Sequence, residues 1–193
     1  MKLINHPNLN GLEKLIEIID NSKSSNLIIS IDGNSGAGKT YYSEILSTLY
    51  DSNIIHMDSF FLPVFLRTEK RLGEVAGNIH YERFEQEVLK NLKKEIFKYR
   101  VYDCKLRDYR GEVCLNKKKL TIVEGVYSQS HNFKEYYDVS ASLICDKNTQ
   151  IERIRQREGG ETLKVFLEKW IPLEDKYFTA NDIFEKSDIL IET

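Results

Sequence analysis

With 193 residues, 41% of them hydrophobic and 30% charged, the chain is long enough to bury a sizeable core and is too apolar to be a disordered segment. Its 28 basic and 30 acidic side chains leave a formal charge of -2, which provides no general field for a polyanion and excludes nucleic-acid binding as a starting point. No apolar stretch approaches the roughly 20 residues that span a bilayer and the N-terminus lacks a signal-peptide pattern, so a cytoplasmic protein without a membrane partner is expected.

Asn10-Gly11-Leu12-Glu13 reads as a capping box, and Leu12, Leu15, Ile16 and Ile19 continue it at helical spacing. The apolar run Leu27 to Ile31 suits a strand buried on both faces and ends at Asp32-Gly33. Tyr42, Ile45, Leu46 and Leu49 then mark a second amphipathic helix, so the glycines between them join a strand to a helix. Ile54 to Met57 is a further strand with Asp58 at its carboxyl end.

Phe84, Val88, Leu92, Ile96 and Tyr99 follow helical spacing, which predicts a long helix across 84-99. Lys117-Lys118-Lys119 is expected to be a solvated turn before the buried strand Leu120 to Val123, and Ala141 to Ile144 is another strand. A helix follows over Thr149 to Glu158. Leu163, Phe166, Leu167, Trp170 and Ile171 form the stripe of the next one, which Pro172 is expected to interrupt. Asp188 to Ile191 supplies the fifth strand. Strands alternating with helices imply right-handed crossovers and a parallel sheet covered on both faces, all in one domain spanning 1-193.

Cys104, Cys114 and Cys145 are odd in number and widely spaced, so they read as reduced, mostly structural thiols. His6, His56, His80 and His131 lack the i,i+4 pairing of a helical transition-metal site.

Gly33-Asn34-Ser35-Gly36-Ala37-Gly38-Lys39-Thr40 matches the phosphate-loop pattern of Gly, four residues, Gly-Lys-Ser/Thr in full. Glycine reaches positive φ, which lets successive backbone N–H groups turn inward around a phosphate at a helix N-terminus. Lys39 is expected on the β- and γ-phosphates of ATP, and the Thr40 hydroxyl on Mg²⁺. A dinucleotide-binding loop is ruled out because the glycines are not spaced as G-x-G-x-x-G.

Ligands of parallel α/β sheets bind beyond the carboxyl ends of the strands, which is where Asp58 falls. Its carboxylate suits a general base toward a substrate hydroxyl and a contact to Mg²⁺; its bland alternative is a cap on Ser59-Phe60-Phe61. Glu124 ends the Leu120 strand and suits a second acidic group acting on Mg²⁺ through water. Arg153 and Arg157 share a helical face turned away from Ile151 and Ile154, so they can close over a transferring phosphate, with Gly159-Gly160 as a hinge. That helix defines a short lid over about 149-162.

Together the segments IDGNSGAGKT, HMDSFF, GNIHYERFEQEV, VYDCKLRDY, TIVEGVYS and TQIERIRQRE resemble the uridine kinase and phosphoribulokinase family of P-loop kinases, over about Leu27 to Ile191. The resemblance implies a P-loop NTPase fold, with a five-stranded parallel sheet, helices on both faces and a short helical lid. It implies ATP and Mg²⁺ as cofactors and a small-molecule acceptor, foremost the 5'-hydroxyl of uridine or cytidine. Asp58 carries over as catalytic base, Glu124 as the magnesium-linked acid, and Arg153 and Arg157 as contacts to the ATP phosphates. Tyr102 carries over as a nucleoside-pocket residue with Asp103 beside it. Two positions depart from the family: His80 stands where an Asp usually binds the ribose hydroxyls, and Arg107 where a base-contacting His is often found.

Nicotinamide riboside, pantothenate or a sugar phosphate are the alternative acceptors, and a nucleotide-dependent switch without a metabolite acceptor is the alternative outside enzymology. Phosphoribulokinase activity is disfavoured, because Lys105, Arg107 and Arg110 near Tyr102 are few cations for a bisphosphate product. A homo-oligomer is compatible with the sequence.

Overall fold

A computed structural model of the chain describes residues 11-130 and 133-193. Asn10 of the expected capping box, His6 and His131 therefore lie outside the described residues. The elements in chain order begin with α1 (Leu12–Asn21), β1 (Leu27–Gly33), α2 (Lys39–Leu49) and β2 (Ser52–His56), and two 3₁₀ turns, Met57–Phe60 and Val64–Leu66, follow. Next come α3 (Glu69–Gly73), α4 (Tyr81–Glu87), a 3₁₀ turn Leu89–Asn91, β3 (Ile96–Asp103), β4 (Asp108–Asn116), β5 (Leu120–Glu124), a 3₁₀ turn Phe133–Tyr136 and β6 (Val139–Ile144). The chain ends with α5 (Lys147–Glu158), α6 (Gly160–Val165), a π-helical turn Phe166–Trp170, α7 (Ile171–Asn181), α8 (Ile183–Lys186) and β7 (Ile189–Glu192).

Five strands form a parallel sheet in the order β2-β5-β1-β6-β7, as the alternation of elements implied. β1 lies at its centre and is buried along its whole length, which is why it reads as an unbroken apolar run rather than an alternating one. Its successive residues serve opposite faces. Ile29 and Ile31 pack with Leu12 and Leu15 of α1 and Tyr42 and Leu46 of α2. Ile28 packs on the other side with Phe84, Tyr177, Phe178 and Ile183 from α4, α7 and α8. Each fully buried aliphatic or aromatic side chain contributes about 2 kcal/mol of transfer free energy.

The expected helix across 84-99 is overturned. The helix α4 ends at Glu87 with Val88 as its C-cap, a 3₁₀ turn follows at Leu89–Asn91, and Ile96 already belongs to the antiparallel hairpin β3-β4. Phe84, Val88 and Leu92 do share the core, as do Phe97 and Tyr99, but from three successive elements. In β3, Phe97 and Tyr99 are buried while Lys98 and Arg100 face out, a period of two that a helical template with a four-residue step also happens to sample.

Pro172 does not interrupt its helix. Residues 166-170 form one π-helical turn that joins α6 to α7 without a break, and Pro172 follows that turn directly as the second residue of α7. Cys104 and Cys114 are exposed rather than structural, and Cys145 is half-buried, all three as free thiols. No helix among the described residues is long and apolar enough to cross a membrane.

Candidate active site

β1, β2 and β5 all terminate at one edge of the sheet, and a cavity of about 1430 Å³ opens there. Its floor is the loop from β1 to α2. Gly33, Gly36 and Gly38 have φ of 131°, 83° and 92°, conformations that side chains resist. At Gly33 the requirement is absolute, since a Cβ there would lie 1.9 Å from the carbonyl oxygen of Leu143 on β6. The loop is held from beneath by the fully buried Asp32, whose carboxylate accepts from Gly33 N–H at 2.7 Å, Gln129 N–H at 2.9 Å and the Tyr177 hydroxyl at 2.7 Å. Burial pushes the Asp32 pKa up, against the pull of these three donors and of Lys39.

Lys39 is buried, and its ammonium donates to the carbonyls of Gly33 at 2.8 Å and Asn34 at 2.9 Å. It spans the mouth of the cradle that the glycines shape. Ser35 is tied to α7: its N–H donates at 3.0 Å to one carboxylate oxygen of Glu174 and its hydroxyl donates to the other. Nothing in the sequence announces that contact, which joins residues 139 positions apart.

Asp58 sits in the 3₁₀ turn that follows β2 and lines the cavity. It caps nothing and has no hydrogen-bond partner among the described residues, so the bland alternative for it falls away. Desolvation by the surrounding walls raises its pKa, the Glu124 charge raises it further, and Lys39, His56 and Arg157 oppose. A carboxylate so raised is a better proton acceptor than one in water.

Glu124 closes β5, and the parallel register sets it directly beside His56 of β2. His56 Nδ1 is hydrogen-bonded to the Glu124 carboxylate, and that bond raises the His56 pKa despite partial burial. The Thr40 hydroxyl lies 3.4 Å from each oxygen of the same carboxylate. Thr40, Glu124 and Asp58 thus offer an oxygen-only donor set at the mouth of the loop, which fits Mg²⁺. Among the described residues, no group of three or more His, Cys, Asp or Glu could hold a metal unaided.

Arg153 on α5 donates to Gly36 O and to the Thr193 hydroxyl, both at 3.1 Å, which fastens α5 to the loop. Arg157 lines the same cavity, paired with Glu158 at 2.7 Å and 5.9 Å from the ring centre of Phe166. The helix breaks at Gly159, where φ is 83° and a Cβ would meet nothing within 4 Å.

Of the residues tied by resemblance to the acceptor, Arg107 lines the cavity from the β3-β4 turn, at φ 57°. Tyr102 and His80 do not line it. Tyr102 is buried, with its ring 5.7 Å from that of Tyr109 and its hydroxyl unpartnered among the described residues. His80 leads into α4, and burial with Arg83 nearby lowers its pKa.

Arg83 is a residue the sequence reading passed over. Its guanidinium is buried, donates to Ser59 O and Arg100 O, and pairs with Glu87 at 3.1 Å, so it ties the hairpin to the residue next to Asp58. The i,i+4 spacing of Arg83 and Glu87 was its only signal in the sequence.

No family model and no curated protein matches the sequence. Solved structures do match in fold. A possible uridine kinase from Bacillus stearothermophilus superposes with a TM-score of 0.71 at 18% identity, over 93% of this chain and 96% of that one. YGR205w protein gives 0.61 at 15% identity, over 95% and 94%. D-glycerate 3-kinase from Cryptococcus neoformans gives 0.60 at 12% identity, over 94% and 95%. The likeness is one of architecture: the chain has the α/β fold of the uridine kinase-like P-loop kinases.

Proposed function

We propose that this chain is an ATP-dependent phosphotransferase that moves the γ-phosphate of ATP onto a hydroxyl of a small-molecule acceptor. One observation carries the reading: the phosphate loop and the unpartnered carboxylate of Asp58 open onto the same cavity. The acceptor hydroxyl gives its proton to Asp58, its oxygen bonds to the γ-phosphorus, and the bond from that phosphorus to the β–γ bridging oxygen breaks to leave ADP.

In this mechanism the backbone N–H groups from Gly36 to Thr40 hold the triphosphate. Lys39 exchanges its two loop carbonyls for phosphate oxygens. Mg²⁺, held by Thr40 and Glu124 with Asp58 in reach, supplies charge neutralisation when bound. His56 orients Glu124 from behind. Arg153 and Arg157 stabilise charge on the transferring group, and α5 with Gly159 serves as a lid that excludes water.

A pyrimidine nucleoside 5'-hydroxyl is the acceptor that the sequence resemblance favours, supported by HMDSFF and VYD in that order. The cavity wall supports a broader acceptor class, since Arg107 faces the cavity whereas His80 and Tyr102 do not. The deciding experiment follows ADP release from MgATP before and after small hydroxyl compounds are added. A kinase accelerates when its acceptor arrives; slow hydrolysis indifferent to every acceptor favours a nucleotide switch.

A further inference from the structure

The arginines of this chain sort by partner. Arg71, Arg83, Arg100, Arg110 and Arg157 each face a carboxylate. Arg67, Arg107, Arg153 and Arg155 face none among the described residues; Arg155 is exposed on α5, and the other three line the cavity. Arg153 is engaged by the phosphate loop through Gly36 O. Arg67 and Arg107 remain, and Lys105 joins them on the same wall, also without an ion pair among the described residues.

These three cations come from two separate stretches of chain that line the cavity with Asp58. Arg67 lies nine residues after Asp58, in the segment that runs on from the same 3₁₀ turn. Its Nε donates to Leu62 O at 2.9 Å, which fixes the stem and leaves the terminal nitrogens available. Lys105 and Arg107 sit in the β3-β4 turn, shaped by Asp103, which accepts from the N–H groups of Lys105 and Leu106 at 2.8 and 3.1 Å. Cys104 in that turn lines the cavity together with Arg67 and Asp58, so the turn and the Arg67 segment open onto the same space as the base.

The carboxylates of the cavity are already engaged. Glu158 is held by Arg157, Glu174 by Ser35, Glu124 by His56 and Glu168 by Lys164 at 3.8 Å. Asp58 is the cavity carboxylate without a hydrogen-bond or ion-pair partner among the described residues, and it shares the cavity with the three cations. The carboxylates flanking the turn, Asp103 and Asp108, do not line the cavity, whereas Lys105 and Arg107 between them do. An ordinary solvated face intersperses the two signs, whereas a concave wall of one sign attracts the opposite charge from solution.

We infer that the acceptor is anionic, carrying a phosphate or carboxylate group that Arg67, Lys105 and Arg107 hold while its hydroxyl faces Asp58. The inference rests on the kinase reading and narrows it. The fold adds Arg67 to the basic residues that were visible around Tyr102, and Arg and Lys together suit such a group, Arg by bidentate hydrogen bonding and Lys as a point charge.

The test incubates the protein and MgATP with a defined mixture: glycerate and pantothenate as carboxylates, glycerol 3-phosphate and ribose 5-phosphate as phosphates, glycerol, ribose and uridine as neutral counterparts, and a pool of cellular metabolites. Mass spectrometry identifies the product heavier by one phosphoryl group. The expected result is a phosphorylated acceptor that was anionic beforehand, its arm distinguishing phosphate from carboxylate. In Arg67→Gln and Arg107→Gln its KM rises about 10- to 100-fold, with the KM for ATP unchanged, and Arg107→Lys recovers part of the loss. A neutral acceptor phosphorylated with a KM insensitive to both Gln variants overturns the inference and leaves the kinase standing. No phosphorylated product at all removes the kinase reading and the inference together.

Discussion

The carboxylate of Glu174 on α7 binds the Ser35 backbone N–H and hydroxyl, so a negative charge is fixed on the third residue of the phosphate loop. Burial pushes the Glu174 pKa up, and the two Ser35 bonds and the Lys39 charge pull against it. A triphosphate entering the loop adds like charge beside this group and drives its pKa higher still. Nucleotide binding is therefore coupled to protonation of Glu174 and strengthens as pH falls. Glu174→Gln keeps the shape and an acceptor oxygen but removes the charge. It should bind MgATP about tenfold more tightly than the parent at pH values where the parent's Glu174 is charged and lose most of the strengthening that the parent shows as pH falls. Glu174→Ala should weaken binding instead, because the Ser35 N–H loses its partner. Titration calorimetry at several pH values separates these; equal slopes for parent and Glu174→Gln would remove Glu174 from the coupling.

In the proposed mechanism Asp58 serves the chemistry and little of the fold, since its carboxylate makes no hydrogen bond among the described residues. Asp58→Asn should lower kcat by about 10²- to 10⁴-fold, the usual worth of a positioned general base. The Kd for MgATP should change by less than about threefold, and the melting temperature should hold or rise as a desolvated charge disappears. Turnover within a few fold of the parent would assign proton acceptance elsewhere.

How far the sequence could be read follows from how local each signal was. Gly33 to Thr40 announces itself because the phosphate-loop pattern is contiguous in sequence, and β1 and β5 announce themselves because burial on both faces makes them nearly continuous apolar runs, whereas the edge strands β2 and β7 bury alternate residues only. Asp58 and Glu124 were legible as strand-end acids in a fold whose ligands bind at strand ends. The β3-β4 hairpin was not, because Phe84, Val88 and Leu92 pack in the same core as Phe97 and Tyr99 and so extend a helical spacing across a strand. Glu174 and Arg67 were invisible for a different reason. Each takes its meaning from tertiary neighbours, Ser35 in one case and a shared cavity wall in the other, and a charged residue on a polar stretch carries no mark of what it will face.

Gly33 and Gly159 provide a paired test of where glycine is needed. Gly33→Ala would drive a Cβ to 1.9 Å from Leu143 O at a φ of 131°, and the obstacle is β-sheet backbone rather than a side chain that can swing away. Loss of more than about 3 kcal/mol is expected, or about 6 to 12 °C in a domain of this size. Gly159→Ala meets nothing within 4 Å and suffers only from its backbone at φ 83° and ψ 170°, a region that favours glycine, about 1 to 3 kcal/mol. Thermal melts of the two variants side by side check the ordering, and a Gly33→Ala protein as stable as Gly159→Ala would mean that the loop does not run against β6.

Arg83 and Glu87 link the hairpin to the turn that carries Asp58 through charge, and pH resolves their contribution. Glu87 accepts from Arg83 at 3.1 Å, from the Arg100 N–H at 2.9 Å and from the Arg100 guanidinium at 2.8 and 2.6 Å. Burial alone would raise its pKa, but the bonds from Arg100 and the Arg83 charge outweigh it, so the folded value lies below the ordinary 4.5. A depressed carboxylate stabilises the fold above its unfolded pKa, and that contribution is lost as pH falls through the folded value. Glu87→Gln should therefore be less stable than the parent near pH 7, and the gap should close as pH falls toward about 3. Arg83→Met removes the buried partner and should cost about 3 kcal/mol at neutral pH, while releasing Ser59 O next to Asp58 and so lowering kcat as well as the melting temperature. Chemical denaturation across this range reads the gap directly. A Glu87→Gln deficit that persists undiminished at low pH would show that shape rather than charge holds the hairpin in place.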